Sequence, residues 1–203
     1  MRYGKEHKEE THRKVVEAAS RRFRKDGIEA TGVVDLMADV GLTHGGFYAH
    51  FPSKTAMDVE IVRTLLGSVP GRWLGGLEES VGLDWVQRAV DRYLSAAHRD
   101  NPDGCAYPAV LSEIATSPVA VRRAFAEALE LRVRAFEAHL PHERRITARE
   151  RALATMALTV GGLLLARAAN GSAVSDEILA ACRAWSVPEV ERTAAGRAAA
   201  ASA

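Results

Sequence analysis

Apolar residues return at helical spacing along almost the whole chain, and glycines and prolines interrupt the pattern at short intervals. A period of about 3.6 buries one face of a helix, whereas a half-buried strand needs a period of about 2. No run of alternating Val, Ile or Thr bounded by turns competes with it. The chain is therefore read as all-α. From about Lys8 to Asp26, Val15, Ala18, Ala19 and Phe23 share one face, Arg and Lys line the other, and Gly27 is the stop. A short helix fits residues 33–40, ended by Gly41, and another fits 44–50, after which Phe51-Pro52-Ser53 breaks the chain. Ser53 is an N-cap for a helix from Lys54 to about Val69, stopped by Pro70-Gly71.

The second half is more apolar, with helices expected at 82–99, 107–116, 118–139, 148–169 and 176–185, about nine in all. Asn101-Pro102-Asp103-Gly104 is a turn. Ser117-Pro118 is an N-cap followed by proline at the first helical position. Thr147 with Glu150 has the spacing of a capping box. The stretch Thr193–Ala203 is mostly alanine without a core pattern and is expected to be a flexible tail.

Composition narrows the function classes. The 203 residues are 47% hydrophobic and 26% charged, ordinary for a soluble globular protein with room for one domain and a small attached module. No uninterrupted apolar stretch reaches the roughly 18 residues of a membrane span. Met1-Arg2-Tyr3-Gly4-Lys5-Glu6 runs into more charge and not into an apolar leader, so a cytoplasmic protein with no membrane role is expected. Cys105 and Cys182, far apart in the chain, suit a reducing compartment better than a disulfide framework. The formal net charge is only +1, so any nucleic-acid footprint must be local. Lys5, Lys8, Arg13, Lys14, Arg21, Arg22, Arg24 and Lys25 crowd the first helix, but Glu6, Glu9, Glu10, Glu17 and Asp26 are interleaved with them.

Geometry is more informative than charge between Thr31 and Lys54. A helix of about two turns, the turn Gly41-Leu42-Thr43 and a second short helix make a helix-turn-helix. Leu36, Met37, Val40, Leu42, Phe47 and Phe51 can hold the pair against the first helix. Phe47 and Phe51 stand four apart on the inner face, while His44 and Tyr48, also four apart, project elsewhere. Such a helix can keep its phenylalanines inside and still offer His44 and Tyr48 to a major groove.

The run Gly27-Ile28-Glu29-Ala30-Thr31, then Leu36 through Gly41-Leu42-Thr43-His44-Gly45-Gly46-Phe47-Tyr48-Ala49-His50-Phe51, then Ser53-Lys54, closely resembles the TetR-family DNA-binding signature. The resemblance covers about residues 10–57, roughly a quarter of the chain. It implies an N-terminal three-helix DNA-binding domain at 1–53 and a larger helical effector-binding and dimerisation domain at 54–192, with the tail at 193–203. It implies that Thr31 and Gly32 open a helix near phosphates and that Thr43, His44, Gly45 and Gly46 face the groove. Tyr48, His50 and Lys54 would grip backbone phosphates. Gly32 and Gly46 depart from the family pattern, which usually has Thr or Ser at the first and often a base-reading side chain at the second. Each glycine costs about 1 kcal/mol in a helix relative to alanine, and close backbone approach to DNA is one reason to keep them.

Beyond residue 57 the residues speak less specifically. Candidate effector-pocket residues are Trp85, Tyr93, Tyr107 and Phe125, in a pocket expected to be apolar with a few polar groups. Leu153, Ala157, Gly161, Leu164 and Ala168 follow one stripe of the 148–169 helix, a candidate dimer interface together with 176–185. Gly161-Gly162 inside a helix asks for a close helix–helix approach. Cys105 follows a turn glycine where a thiol could be reached, although small buried filler is the default. His139-Leu140-Pro141-His142-Glu143 lacks a third clustered metal ligand. No nucleophile–base pair, carboxylate dyad or phosphate loop stands out, so no catalytic residue, metal or cofactor is assigned.

The expected function is that of a homodimeric repressor on a palindromic double-stranded DNA operator, released by a small hydrophobic or amphipathic effector. The alternatives are control by a protein partner or by cysteine redox chemistry, and, from another class, an all-helical enzyme.

Overall fold

The computed structural model describes residues 2–67, 74–142 and 146–186, residues 2–5 by their backbone alone. The expected Pro70-Gly71 stop and the tail at 193–203 lie outside the described residues. Among the described residues there is no strand. The described residues form nine α-helices: α1 (Arg2–Lys25), α2 (Val33–Asp39), α3 (Lys54–Gly67), α4 (Gly82–Tyr93), α5 (Ala96–Arg99), α6 (Ala106–Thr116), α7 (Val119–Glu137), α8 (Ala148–Ala168) and α9 (Ala173–Ser186). Between α2 and α3 lies a 3-10 helix, His44–Ala49.

Helix α1 starts earlier than expected, at Arg2, and α9 at Ala173, while two further elements differ in continuity or type for physical reasons. The helix expected at 82–99 is two helices, because Ser95 Oγ accepts the His98 amide at 3.1 Å and starts α5 anew. The segment expected as an α-helix over 44–50 is wound more tightly as the 3-10 helix, as suits six residues with two adjacent glycines. Capping follows the expected residues at Ser53 and Thr147, whereas α7 begins at Val119 and the Ser117 hydroxyl, expected as its N-cap, donates back to the Glu113 carbonyl at 2.8 Å. Ser53 Oγ accepts from the Ala56 amide at 3.1 Å. Thr147 and Glu150 exchange both bonds of a capping box.

The chain divides into two compact units, one of residues 1–68 and 103–129, the other of 69–102 and 130–203. In the first unit α1 is the spine, with α2, α3 and α6 packed on it. Val15, Ala18, Ala19 and Phe23 of α1, Leu36 and Met37 of α2, Phe47, Phe51, and Met57, Ile61 and Val62 of α3 are all buried. At about 25 cal/mol per Å² of apolar area, each large buried side chain contributes on the order of 2 kcal/mol. Arg22 of α1 ties α2 down with a bidentate pair to Asp39, at 2.6 and 3.0 Å.

In the second unit α8 and α9 form the most extensive pair, joined by α4 and α5. Their close approach is at Gly162, where a Cβ would fall 2.7 Å from Cys182 Sγ and 3.4 Å from a Leu94 methyl. Gly161 meets nothing within 4 Å. By length and composition alone α8 could cross a membrane. However, Ala148, Ala152, Thr155, Met156, Thr159, Gly162, Leu163 and Ala166 are buried within the protein.

Candidate nucleic-acid interface

The α2–turn–3-10 helix segment is built around two stacked phenylalanines. Phe47 and Phe51 are 1% and 2% exposed, with ring centroids 5.4 Å apart at 28°. Gly41, at φ +72°, turns the chain out of α2 in the left-handed region where a side chain would be strained. The neighbouring face is then free for polar groups. Tyr48 is 62% exposed, edge-on to Phe47 at 5.3 Å and to His44 at 5.9 Å. These contacts brace the base of the exposed tyrosine ring against Phe47 and His44. Thr43, His44 and Gly45 are exposed beside it, and Gly46 is half-buried.

Gly45 and Gly46 are not demanded by the protein's own packing. A Cβ at Gly45 would meet nothing within 4 Å, and one at Gly46 would make ordinary contacts of 3.7 Å to Met37 and 3.8 Å to Thr43. Neither has positive φ. Gly32 is half-buried at the start of α2, with a Cβ position 3.5 Å from the Asp35 carboxylate.

Two expected contact residues, Thr31 and Lys54, have hydrogen-bond partners inside the protein, and a third, His50, packs beside His12. Thr31 is fully buried and its hydroxyl donates to the Gly27 carbonyl at 2.8 Å, so that hydroxyl is spent on the turn between α1 and α2. Lys54 Nζ donates to both Asp58 carboxylate oxygens and to the Ile28 carbonyl, each at 3.3 Å. Burial pushes the Asp58 carboxyl above the usual carboxylate range, and Lys54 opposes that shift. His50 sits 5.9 Å from His12, whose Nε2 lies 2.6 Å from Glu60. Burial and the nearby His12 and Lys8 push His50 below the usual imidazole range, which favours the neutral ring. Its Nδ1 is buried with no hydrogen-bond partner among the described residues. Lys8, Glu9, His12, Ala49 and His50 line an open cavity of about 490 Å³.

Sequence reading did not anticipate the Arg22–Asp39 pair, the burial of Asp58 or Glu113. The spacing of Lys54 and Asp58, four apart on a helix, was a usable signal for one of these. Glu113 accepts the Glu29 amide at 3.0 Å and the Ile28 amide more closely still, from 84 and 85 residues away, a distance no local pattern reports.

The candidate effector residues form distinct ring contacts. Trp85, 7% exposed, stacks on His139 at 4.3 Å and meets Phe136 edge-on at 5.2 Å. Tyr93 is edge-on to His98 at 4.7 Å. Tyr107 faces Phe125 at 6.3 Å. On α8, Leu153, Ala157, Leu164 and Ala168 point outward and Gly161 is half-buried. Among the described residues no group of three or more His, Cys, Asp or Glu is placed to hold a metal.

Residues 15–61 match the family described as bacterial regulatory proteins, tetR family. The HTH-type transcriptional regulator TtgR of Pseudomonas putida is 38% identical over 69 residues, 34% of this chain and 31% of that protein. YfiR of Bacillus subtilis, an uncharacterized HTH-type transcriptional regulator, is 35% identical over 90 residues, 44% of this chain and 42% of that one. The match therefore spans less than half the length of these curated relatives. The fold extends further: the reduced form of NemR from E. coli superposes with a TM-score of 0.72 over 85% of this chain and 95% of that one, at 17% identity. The helix-turn-helix segment, residues 15–61, thus matches the tetR family of bacterial regulatory proteins in sequence, and the all-helical architecture around it is shared with NemR.

Proposed function

We propose that this chain is a DNA-binding transcriptional repressor that works as a homodimer in the cytoplasm. The observation that carries the reading is the exposed Tyr48–His44 edge, braced by buried Phe47 beside two glycines that the protein's own packing does not require. A 3-10 helix with such a bare flank can lie deep in a major groove. Tyr48 donates to a backbone phosphate. His50, neutral with Nδ1 buried, has Nε2 left for the same role. Thr43 and His44 face base edges, and with so few side chains available, sequence preference leans on DNA shape. Lys54 reaches a phosphate only by giving up part of its pairing with Asp58 and Ile28.

The outward apolar stripe of α8 supports the dimer. Leu153, Leu164 and Leu165 are 43%, 48% and 59% exposed, and Trp185 of α9 is 80% exposed. Such a patch on a soluble chain calls for a partner surface, and a second copy supplies one with two-fold symmetry. A two-fold dimer presents two readers to half-sites about one helical turn apart on a palindromic operator. Release by a small hydrophobic or amphipathic effector is the regulatory part of the proposal, with Trp85, Tyr93, Tyr107 and Phe125 as its candidate contacts. Redox control draws little support, because Cys105 is buried and burial pushes the Cys182 thiol upward. The test is specific binding to the DNA flanking the protein's own gene, measured on the full chain against a scrambled duplex.

A further inference from the structure

The turn between α1 and α2 is where the reader leaves its supporting helix. After α1 ends at Lys25, the amides of Ile28 and Glu29 have left the helical ladder. Both are taken by one carboxylate oxygen, Glu113 Oε2, from the last turn of α6. The fit is close enough that a Cβ on Gly27 would collide with Glu113 Oε1, and Gly27 itself stands at φ +90°. The same peptide is held from its other side, since the Ile28 carbonyl accepts from Lys54 Nζ at 3.3 Å.

Helix α6 meets the end of α1 before its own start and the following turn near its finish. Just before its start, a Cβ on Gly104 would lie 2.5 Å from the Arg24 carbonyl oxygen. At its finish, Thr116 and Ser117 hydroxyls donate to the Glu113 carbonyl at 3.0 and 2.8 Å, fixing the residue that carries the carboxylate. Two amides on a carboxylate are charge-assisted hydrogen bonds, stronger than neutral ones. Without them the exposed Glu29 amide turns to solvent, the part-buried Ile28 amide loses its acceptor, and the turn gains other conformations.

We propose that Glu113 is a positioning residue for DNA binding: its carboxylate sets the direction in which α2 and the 3-10 helix leave α1. Specific affinity then depends on a side chain that touches no DNA and lies outside residues 15–61. The proposal rests on the DNA-binding reading above.

The test uses the full chain, a duplex selected by the parent protein from random DNA, and an unrelated duplex. Glu113→Ala is expected to weaken binding to the selected duplex by about tenfold or more, the scale of a lost charge-assisted hydrogen bond. Binding to the unrelated duplex stays unchanged. Glu113→Gln keeps one carbonyl acceptor and recovers part of the loss, which also covers the case in which the alanine variant fails to fold. Hydrogen exchange at the Ile28 and Glu29 amides speeds up in the same order. If Glu113→Ala or Glu113→Gln binds the selected duplex as the parent does, or weakens both duplexes equally as its melting temperature falls, the positioning role is wrong. A parent that prefers no DNA at all, tested alongside Tyr48→Ala, overturns the DNA-binding reading itself.

Discussion

Lys54 Nζ lies 3.3 Å from both carboxylate oxygens of Asp58, and the carboxylate side chain is only 10% exposed while the lysine is 39% exposed. The lysine that the family pattern assigns to a phosphate is thus also the counter-ion of a buried aspartate.

Removing Lys54 alone therefore has two effects. Lys54→Ala is expected to lower stability by about 2 kcal/mol, the cost of leaving a buried charged group without its partner, and to weaken DNA binding. Lys54→Ala combined with Asp58→Ala restores most of the stability but not the DNA affinity. Denaturant melts and anisotropy on the two variants separate these roles. Recovery of affinity in the double variant would show that Lys54 serves the fold and not the phosphate.

Gly45 is expected to tolerate alanine in the fold and not on DNA. Its Cβ position is empty, and alanine is favoured over glycine in a helix by about 1 kcal/mol. Gly45→Ala should leave the melting temperature equal or higher while reducing affinity for the preferred duplex about tenfold, the scale of one mismatched base pair. Unchanged affinity would mean that the backbone does not approach the bases at this position.

Much of this architecture is legible from residue order alone. Phe47 and Phe51 announce their shared face by spacing, and Ser53, Thr147 and Glu150 announce helix starts by chemistry. What escapes is whatever depends on chain segments far apart. Thr31 looks like a phosphate contact until its hydroxyl is found on the Gly27 carbonyl. Glu113 looks like one more surface glutamate until α6 is laid across the end of α1. The Gly161-Gly162 pair predicts a close helix approach, but only packing reveals that Gly162 makes it, against Cys182. The break at Ser95 is a local hydrogen bond competing with a continuous apolar face, and periodicity favours the longer helix.

The outward stripe of α8 carries a prediction about assembly. Leu164→Glu, at a site 48% exposed in the single chain, should not perturb the monomer's core. It is expected to turn a dimer into a species of 21.9 kDa in light scattering and to weaken operator binding with it. A dimer that survives Leu164→Glu places the interface on another surface.

Stability should fall with mild acid. Burial pushes His98 below the usual imidazole range, outweighing the bond from its Nδ1 to the Tyr93 carbonyl at 2.7 Å, and the Arg167 charge adds to the shift. His50 and His139 shift the same way through burial. A folded value below the unfolded one means that the unfolded chain takes up more protons as pH falls through about 6.5, so stability is lost there and is fully present above it. His98→Asn keeps a donor but cannot titrate. Melting temperatures from about pH 7.5 to 5 should fall less steeply for that variant than for the parent. Equal slopes would remove His98 from the account.

The most direct measurement is fluorescence anisotropy of the full chain against the DNA flanking its own gene and a scrambled duplex, at about 150 mM salt, where counterion release no longer masks specificity. Saturable binding to the flanking DNA alone is predicted, with Tyr48→Ala weakening it and leaving the melting temperature unchanged. Equal weak binding to both duplexes, together with no enriched sequence in a random-DNA selection, would contradict the account.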